Sequence, residues 1–401
     1  MNLRDFTSVA ARRRAIANEL SLDLPHIGSF TLDELIASTR NCENMIGAAQ
    51  VPMGVAGPLQ IGKEQYYIPL ATTEGALVAS VNRGCKAITE SGGAQVHSHR
   101  IGATRGPVFK VKNLAQNSKL YEFLETHHEE LEEIAAKTSS HLNLKKITSQ
   151  GVGKYRFVRF VFNTQDAMGM NMATIATQAL VGYIEKHTGA QCLSVAGNYD
   201  VDKKPAWLNI IRNRGIKAWA EVTLAEHVLQ KVLKTSAQKV HETWLAKCMI
   251  GSAVSGSMGF NAHMANVIAA MFLATGQDPG HVGEGSCGIT TTEIMGKDLY
   301  ASVYLPDLMV GTVGGGTGLA TQKEALSILG VAGPSADGDG RNAMKLAEIV
   351  AAAVLAGEIS LLSSLGEGSL ARAHERLARG IPNDKNQMTN QIQNPKSKFV
   401  I

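Results

Sequence analysis

The sequence predicts an α+β protein, a large domain interrupted by a smaller ferredoxin-like one behind a short helical N-terminal region. Three observations predict it. The chain has 401 residues, more than a single hydrophobic core commonly serves. Residues 107–196 read strand, helix, strand, strand, helix, strand, the order of a ferredoxin-like unit. The flanking stretches, 43–106 and 197–401, carry strands and long apolar helices of their own, so the small unit is an insertion.

Residues 1–42 form the helical N-terminal region. Within it, Thr31 to Ser38 reads as a capping box, a Thr followed three residues later by Glu34. From Glu43 the run ENMIGAAQVPMGVAGPL is loop and short strand, and Tyr66–Leu70 is a strand. Thr73 opens a helix with Leu77, Val78, Val81, Cys85 and Ile88 on one face and Glu74 in its first turn.

In the insertion, Pro107–Val111 is a strand and Leu120–Lys137 an acidic amphipathic helix. Leu142–Ile147 and Tyr155–Phe162 are alternating strands, Met170–His187 a helix and Gln191–Val195 a strand. After Pro205 come strands, then a long helix in the stretch between Lys247 and Asp278, which holds no Asp, Glu, Lys or Arg. Ser252, Ser255, Asn261, His263 and Asn266 interrupt that stretch, so it reads as a buried helix or subunit contact and not a membrane span. A glycine loop follows at Gly311–Gly318. Two helices close the sequence, Arg341–Leu355 and one ending near Arg379, where Gly380 and Pro382 give a stop.

Lys plus Arg total 39 against 35 Asp plus Glu, a formal charge of +4, too weak to argue for nucleic acid. The five cysteines, Cys42, Cys85, Cys192, Cys248 and Cys287, are odd in number, widely spaced and lack a C-x-x-C, which speaks against a zinc site or a disulfide framework. The arginine-rich residues 1–19 hold no apolar run, so a secretory signal is not expected and a cytoplasmic location is. Gly283–Gly288 and Gly366–Ala371 match dinucleotide-type glycine strings but follow no strand of a βαβ unit. His97, His99, His127 and His128 lack companion ligands and read as solvated surface.

Five segments, read together, carry a resemblance. They are ENMIGAAQVPMGVAGPL, ATTEGALVASVNRGCKAI, DAMGMN (Asp166–Asn171), GNYDVDKKP (Gly197–Pro205) and GTVGGGT (Gly311–Thr317). In this order and at these separations, from about Glu43 to Arg379, the chain resembles the 3-hydroxy-3-methylglutaryl-CoA reductases. Its DAMGMN and DKKP forms resemble the biosynthetic, class I-like members, and a soluble form without a membrane anchor is expected. The resemblance implies that 43–106 and 197–401 form the substrate and dimerisation domain and 107–196 the NADP-binding domain. It implies two hydride transfers from NADPH, with NADH as the alternative, reducing the acyl-CoA thioester to mevalonate and free coenzyme A for isoprenoid precursors. It also implies a dimer or tetramer with shared active sites, and neither nucleic acid nor membrane as partner.

The same resemblance assigns roles. Glu74 suits a helix N-terminus on its own; the family pattern makes it the proton donor beside the substrate carbonyl, a task for a buried carboxyl. Lys203, otherwise a polar-loop residue, becomes the electrophile facing the thioester oxygen. Asp278, otherwise a turn residue, couples Glu74 to Lys203. His374, otherwise a helix histidine, protonates the departing thiolate. Arg105, Lys204 and Lys247 are implied for the substrate carboxylate, Asn266 in support of Asp278, and Ser80, Asn82, Arg83 and Lys234 for coenzyme A. Asp166, Met168, Gly169, Met170 and Asn171 are implied for the cofactor, with Gly314, Gly315, Gly316 and Thr317; Arg379 is implied for its 2′-phosphate. Three positions depart from the animal pattern: Ala196 stands where a Ser is usual, Gly380 where a regulatory phosphoserine is, and His141 near a cofactor-binding Arg.

Two rivals stand beside this reading. One is an NADH-linked enzyme running in the oxidative direction; the other is a non-catalytic acyl-CoA or nucleotide binder. Glu74, Lys203, Asp278 and His374 together argue against the binder, which has no use for all four.

Overall fold

A computed structural model of the chain describes residues 3–368. Its strands are β1 (Met53–Ile61), β2 (Glu64–Ala71), β3 (Gln95–Arg105), β4 (Val108–Lys110), β5 (Asn143–Val152), β6 (Tyr155–Asn163), β7 (Gln191–Ser194), β8 (Arg214–Leu224), β9 (Ile289–Met295) and β10 (Asp298–Leu308). β1 and β2 form a hairpin. The others join one eight-stranded sheet in the order β7-β4-β6-β3-β8-β10-β9, with β5 also paired to β6. Within it, β7-β4-β6-β5 is antiparallel throughout and has the strand order of a ferredoxin-like unit. β3 carries the sheet onward: its first residues pair with β8 and Ala103–Arg105 pair with β6. The chain is α+β.

Two hydrophobic clusters lie along this sheet. One holds Phe109, Leu120, Leu131, Phe160, Leu180 and Ile184. The other surrounds the 26-residue helix Arg341–Gly366, buried along nearly its whole length. The helix Leu77–Glu90 crosses it at Gly84, where an added Cβ would meet the Ala356 carbonyl oxygen at 1.9 Å, so only glycine fits. Arg341–Gly366 is long and apolar enough to cross a membrane by length and composition, yet 83% of its apolar window is buried within the protein. Its buried Glu358 accepts from the backbone N–H groups of Ala262 and His263, each at 2.7 Å, and from the Thr290 hydroxyl at 2.6 Å.

Several expected elements shift. The capping box gives way to Asp33, whose carboxylate takes the Ile36 N–H at 2.9 Å, and the helix runs Glu34–Arg40. The helix expected from Thr73 starts at Leu77, because Ala76 adopts a left-handed φ of 78° that no helix continues through; Glu74 therefore lies in the loop before it. The acidic helix starts earlier, capped by Asn113, and breaks at His127 into Leu114–Thr126 and His128–Ala136. β6 is buried on both faces over Val158–Phe162, so it does not alternate. Pro205 is followed by a short helix, Trp207–Arg212, ahead of β8. The uncharged stretch is parted at left-handed Gly256, and its second part is the buried helix Met264–Thr275. The closing helix expected at Arg341–Leu355 runs on to Gly366, and the far part of the second expected helix, with His374, Arg379, Gly380 and Pro382, lies outside the described residues.

Candidate active site

The loop after β7 is wound tightly. Asn198, Val201 and Lys203 all have positive φ, at 62°, 53° and 59°. Non-glycine residues in that region cost about 1–3 kcal/mol each and persist only where their surroundings hold them. Here Thr104 donates its hydroxyl to the Asp200 carbonyl at 3.0 Å, and Asn209 donates to that of Val201 at 3.1 Å. The Lys203 N–H donates to Glu284 Oε2 at 3.2 Å.

So held, Lys203 reaches Asp278, with Nζ 2.6 Å from Oδ2. Asp278 opens the short turn Pro279–His281 and accepts the Gly280 N–H at 2.9 Å. The Lys203 stem lies against Gly280, where a Cβ would come within 2.9 Å of its Cδ. Burial opposes the charge on Asp278, but the bonds from Lys203 and Gly280 outweigh it and hold the carboxylate below its usual range. Both side chains stay partly open to solvent, as a pair that receives a ligand must.

Behind them lies a charged cluster with no exposure: Arg214, His281, Glu284 and Asp307. Arg214 donates to Glu284 Oε1 at 2.6 Å and to Asp202 Oδ1 at 2.8 Å. Asp202, His281 and Glu284 converge within 4.8 Å, the spacing of a metal site, but the Arg214 guanidinium already bridges two of the three and supplies the cation. His281 Nδ1 bonds Glu284 Oε1. Burial pushes Glu284 up to about 7, and burial with the neighbouring Glu284 holds the Asp307 carboxyl well above the usual carboxylate range. Among the described residues no N–H or O–H reaches the Asp307 oxygens.

The two expected cofactor segments meet beside this pair. Ala167 and Val313 form a parallel bridge, and a Cβ on Gly311 would stand 2.4 Å from the Met168 nitrogen. Gly314 and Gly315 have positive φ and open space around them, whereas Gly316 packs on the Gly276 carbonyl, two residues from Asp278. Gly169, left-handed against Thr164, caps the helix Met170–Thr188 that Met170 and Asn171 begin. Thr317 donates to the Gly314 carbonyl at 2.7 Å. Asp166 turns inward instead: its carboxylate takes the Ser335 N–H and hydroxyl and, at 2.9 Å, the Ala343 N–H, capping the central helix.

Other expected site residues stand differently. Arg105, at the end of β3, bonds Thr174 of the helix Met170–Thr188 and pairs with Asp200 and Asp202 of the loop at 3.4 Å. Lys204 donates to the Asp202 carbonyl at 3.1 Å. Arg83 is tied to Ser360 and Ser364 of the central helix, Ser80 lies 2.9 Å from the Ser360 hydroxyl, and Asn82 takes the Gly57 N–H at 2.9 Å. Lys234 is exposed at a left-handed helix end, and Asn266 lies in the first turn of Met264–Thr275. Lys247 lines a cavity of roughly 890 Å³ with Pro205, Ser252, Ser255 and His263. Glu74, expected as a buried carboxyl, is exposed, and its side chain makes no hydrogen bond or ion pair among the described residues. Sequence reasoning did not single out His281, Glu284, Arg214, Asp307 or Gln277. One signal was present: His281 and Glu284 follow Asp278 at intervals of three, one face of a helical turn.

The profile described as hydroxymethylglutaryl-coenzyme A reductase matches residues 8–379. The 3-hydroxy-3-methylglutaryl-coenzyme A reductase of Methanocaldococcus jannaschii is 49% identical over 378 residues, covering 92% of each chain. Reductase 3 of Oryza sativa subsp. japonica is 43% identical over 344 residues, 84% of this chain and 61% of that one. Among solved structures, the class II reductase of Streptococcus pneumoniae bound to NADPH superposes with a TM-score of 0.67 at 20% identity, over 90% of this chain and 97% of that one, a likeness of fold. The chain belongs to the hydroxymethylglutaryl-coenzyme A reductase family.

Proposed function

We propose that this protein reduces 3-hydroxy-3-methylglutaryl-CoA to mevalonate and free coenzyme A, with hydride from two molecules of NADPH. The observation that carries this is the Lys203–Asp278 pair at 2.6 Å, open to solvent and adjoining the meeting point of two glycine-bearing segments. The open space at Gly314 and Gly315 fits close approach of a nucleotide, and NADPH, when bound, supplies the hydride.

The chain's own groups do the rest. Lys203 Nζ faces the carbonyl oxygen and stabilises the negative charge that hydride addition creates, first on the thioester and then on the aldehyde. Asp278 holds the ammonium in place. Lys204 and Lys247 hold the substrate carboxylate, and Arg105 serves by fixing the loop through Asp200 and Asp202. Glu74 donates protons from the neighbouring subunit; its side chain is exposed and has no hydrogen-bond or ion-pair partner within one chain among the described residues, which supports shared sites in a dimer or tetramer. His374 protonates the departing thiolate and Arg379 binds the 2′-phosphate, both on the strength of the family pattern. We read 107–196 as the cofactor unit and 43–106 with 197–401 as the substrate unit, in keeping with the two hydrophobic clusters. The DAMGMN and DKKP strings are what support the biosynthetic, class I-like grouping, with cytoplasmic synthesis of isoprenoid precursors as its setting.

The test is direct. Purified protein, hydroxymethylglutaryl-CoA and either NADPH or NADH are followed at the nicotinamide absorbance and by thiol release. Two nicotinamides oxidised per thiol freed are expected, faster with NADPH; no oxidation with either cofactor overturns the proposal.

A further inference from the structure

Four contacts behind the site close into a ring. Lys203 Nζ holds Asp278 Oδ2 at 2.6 Å, and His281 Nε2 faces the same oxygen at 3.8 Å. His281 Nδ1 bonds Glu284 Oε1, and Glu284 Oε2 accepts the Lys203 N–H at 3.2 Å. Lys203 is thus gripped at both ends, its ammonium by Asp278 and its left-handed backbone by Glu284, with one imidazole spanning the two carboxylates.

One atom in the ring lacks a hydrogen bond. His281 Nε2 is buried without a partner, and Asp278 Oδ2 is what it faces. An imidazole between two carboxyls satisfies both only when each bond contains a proton. Burial, then Arg214, pushes the imidazolium down toward acid pH, so the ring is neutral and carries one proton. Glu284, pushed up by burial, supplies the other to Nδ1, which leaves N–H at Nε2. The charged groups facing the imidazole are Asp278 and Glu284 from its own turn, Asp202 and Lys203 from the 197–205 loop, Arg214 from β8, and Asp307 from β10 beyond Glu284. None of them bonds Nε2.

We propose that His281 and Glu284 are positioning residues of the reduction, a buried clamp that aims Lys203 by fixing its backbone and by directing the His281 Nε2–H at Asp278. This rests on the reading of Lys203 and Asp278 as the electrophilic pair.

The experiment uses full-length protein with hydroxymethylglutaryl-CoA and NADPH. For His281→Phe, Glu284→Ala, Glu284→Gln and Lys203→Met, it measures kcat, both KM values, the pH profile of kcat and the melting curve. Displacing a reacting group by about 1 Å costs on the order of a hundredfold, so folded His281→Phe and Glu284→Ala should lose about ten- to hundredfold in kcat with KM nearly unchanged. The acid limb of the profile should move to higher pH, because Asp278 has lost a donor to its charged form. Glu284→Gln, whose amide can donate to Nδ1 and accept from Lys203, should recover most of what Glu284→Ala loses. A folded His281→Phe with wild-type kcat and profile overturns the clamp, as does a folded Glu284→Gln as impaired as Glu284→Ala. Where the Phe or Ala variant does not fold, Glu284→Gln alone decides. Lys203→Met separates the two readings: an active variant sinks the electrophilic assignment itself, whereas an inactive one beside an unimpaired His281→Phe sinks only the clamp.

Discussion

Gln277 and Gly311 bond each other twice: the Gln277 Oε1 accepts the Gly311 N–H at 2.9 Å, and its Nε2 donates to the Gly311 carbonyl at 3.0 Å. A single amide next to Asp278 thereby fixes the start of the glycine loop and its distance from the Lys203–Asp278 pair.

Gln277→Leu should leave both backbone groups of Gly311 without partners. Each buried group left unpaired costs about 1–3 kcal/mol. The expected result is a lowered melting temperature together with a raised KM for NADPH, while affinity for the acyl-CoA is kept. Titration of NADPH by fluorescence checks it; unaltered cofactor affinity refutes the link.

Lys203→Ala should abolish reduction while leaving acyl-CoA binding largely intact. Removing a principal oxyanion donor costs on the order of a hundred- to a thousandfold in rate. Calorimetric binding beside turnover measures both quantities, and near wild-type turnover would remove Lys203 from the mechanism.

Glu74→Gln and Lys203→Ala proteins, each inactive, should regain partial activity when mixed under conditions where subunits exchange, because a hybrid holds one site with both native residues. No recovery despite demonstrated exchange counts against shared sites.

His374→Gln should impair reduction of the thioester far more than reduction of free mevaldehyde, which expels no thiolate. The ratio of kcat on the two substrates is the measurement. Equal losses, with a lowered melting temperature, would return His374 to a packing role.

The raised Glu284 makes stability depend on pH in a defined direction. A carboxyl whose folded value lies above its unfolded one stabilises fully below the unfolded value, and that contribution is lost as pH rises through the folded one. With 4.5 as the ordinary value and about 7 in the fold, the loss falls across that window. Glu284→Gln should flatten the decline of melting temperature over it; an unchanged slope would place the proton elsewhere.

The sequence made the strand order of 107–196 legible because those strands and helices are separated by sharp changes of period. By residue type alone Lys203 and Asp278 read as a polar-loop and a turn residue; the resemblance brought them together, and the structure pairs them at 2.6 Å. The helix start at Leu77 was not legible, since it turns on one left-handed alanine that no composition signals. Nor was the inward turn of Asp166, whose partners Ser335 and Ala343 come from far along the chain. Arg214 and Asp307 escaped for the same reason: they sit on β8 and β10, and only the sheet register sets them opposite each other.

The carboxylate inside the central helix bears on how the chain is handled before it folds. An emerging segment as long and apolar as Arg341–Gly366 meets a translocon's criteria for insertion by length and composition. A charged side chain near the centre of such a segment raises the cost of entering lipid by about 2.5–3.5 kcal/mol. Glu358 therefore raises the cost of placing this helix in lipid. The same three donors that satisfy it in the finished protein become available only once Ala262, His263 and Thr290 have been synthesised, and all three precede it in the chain.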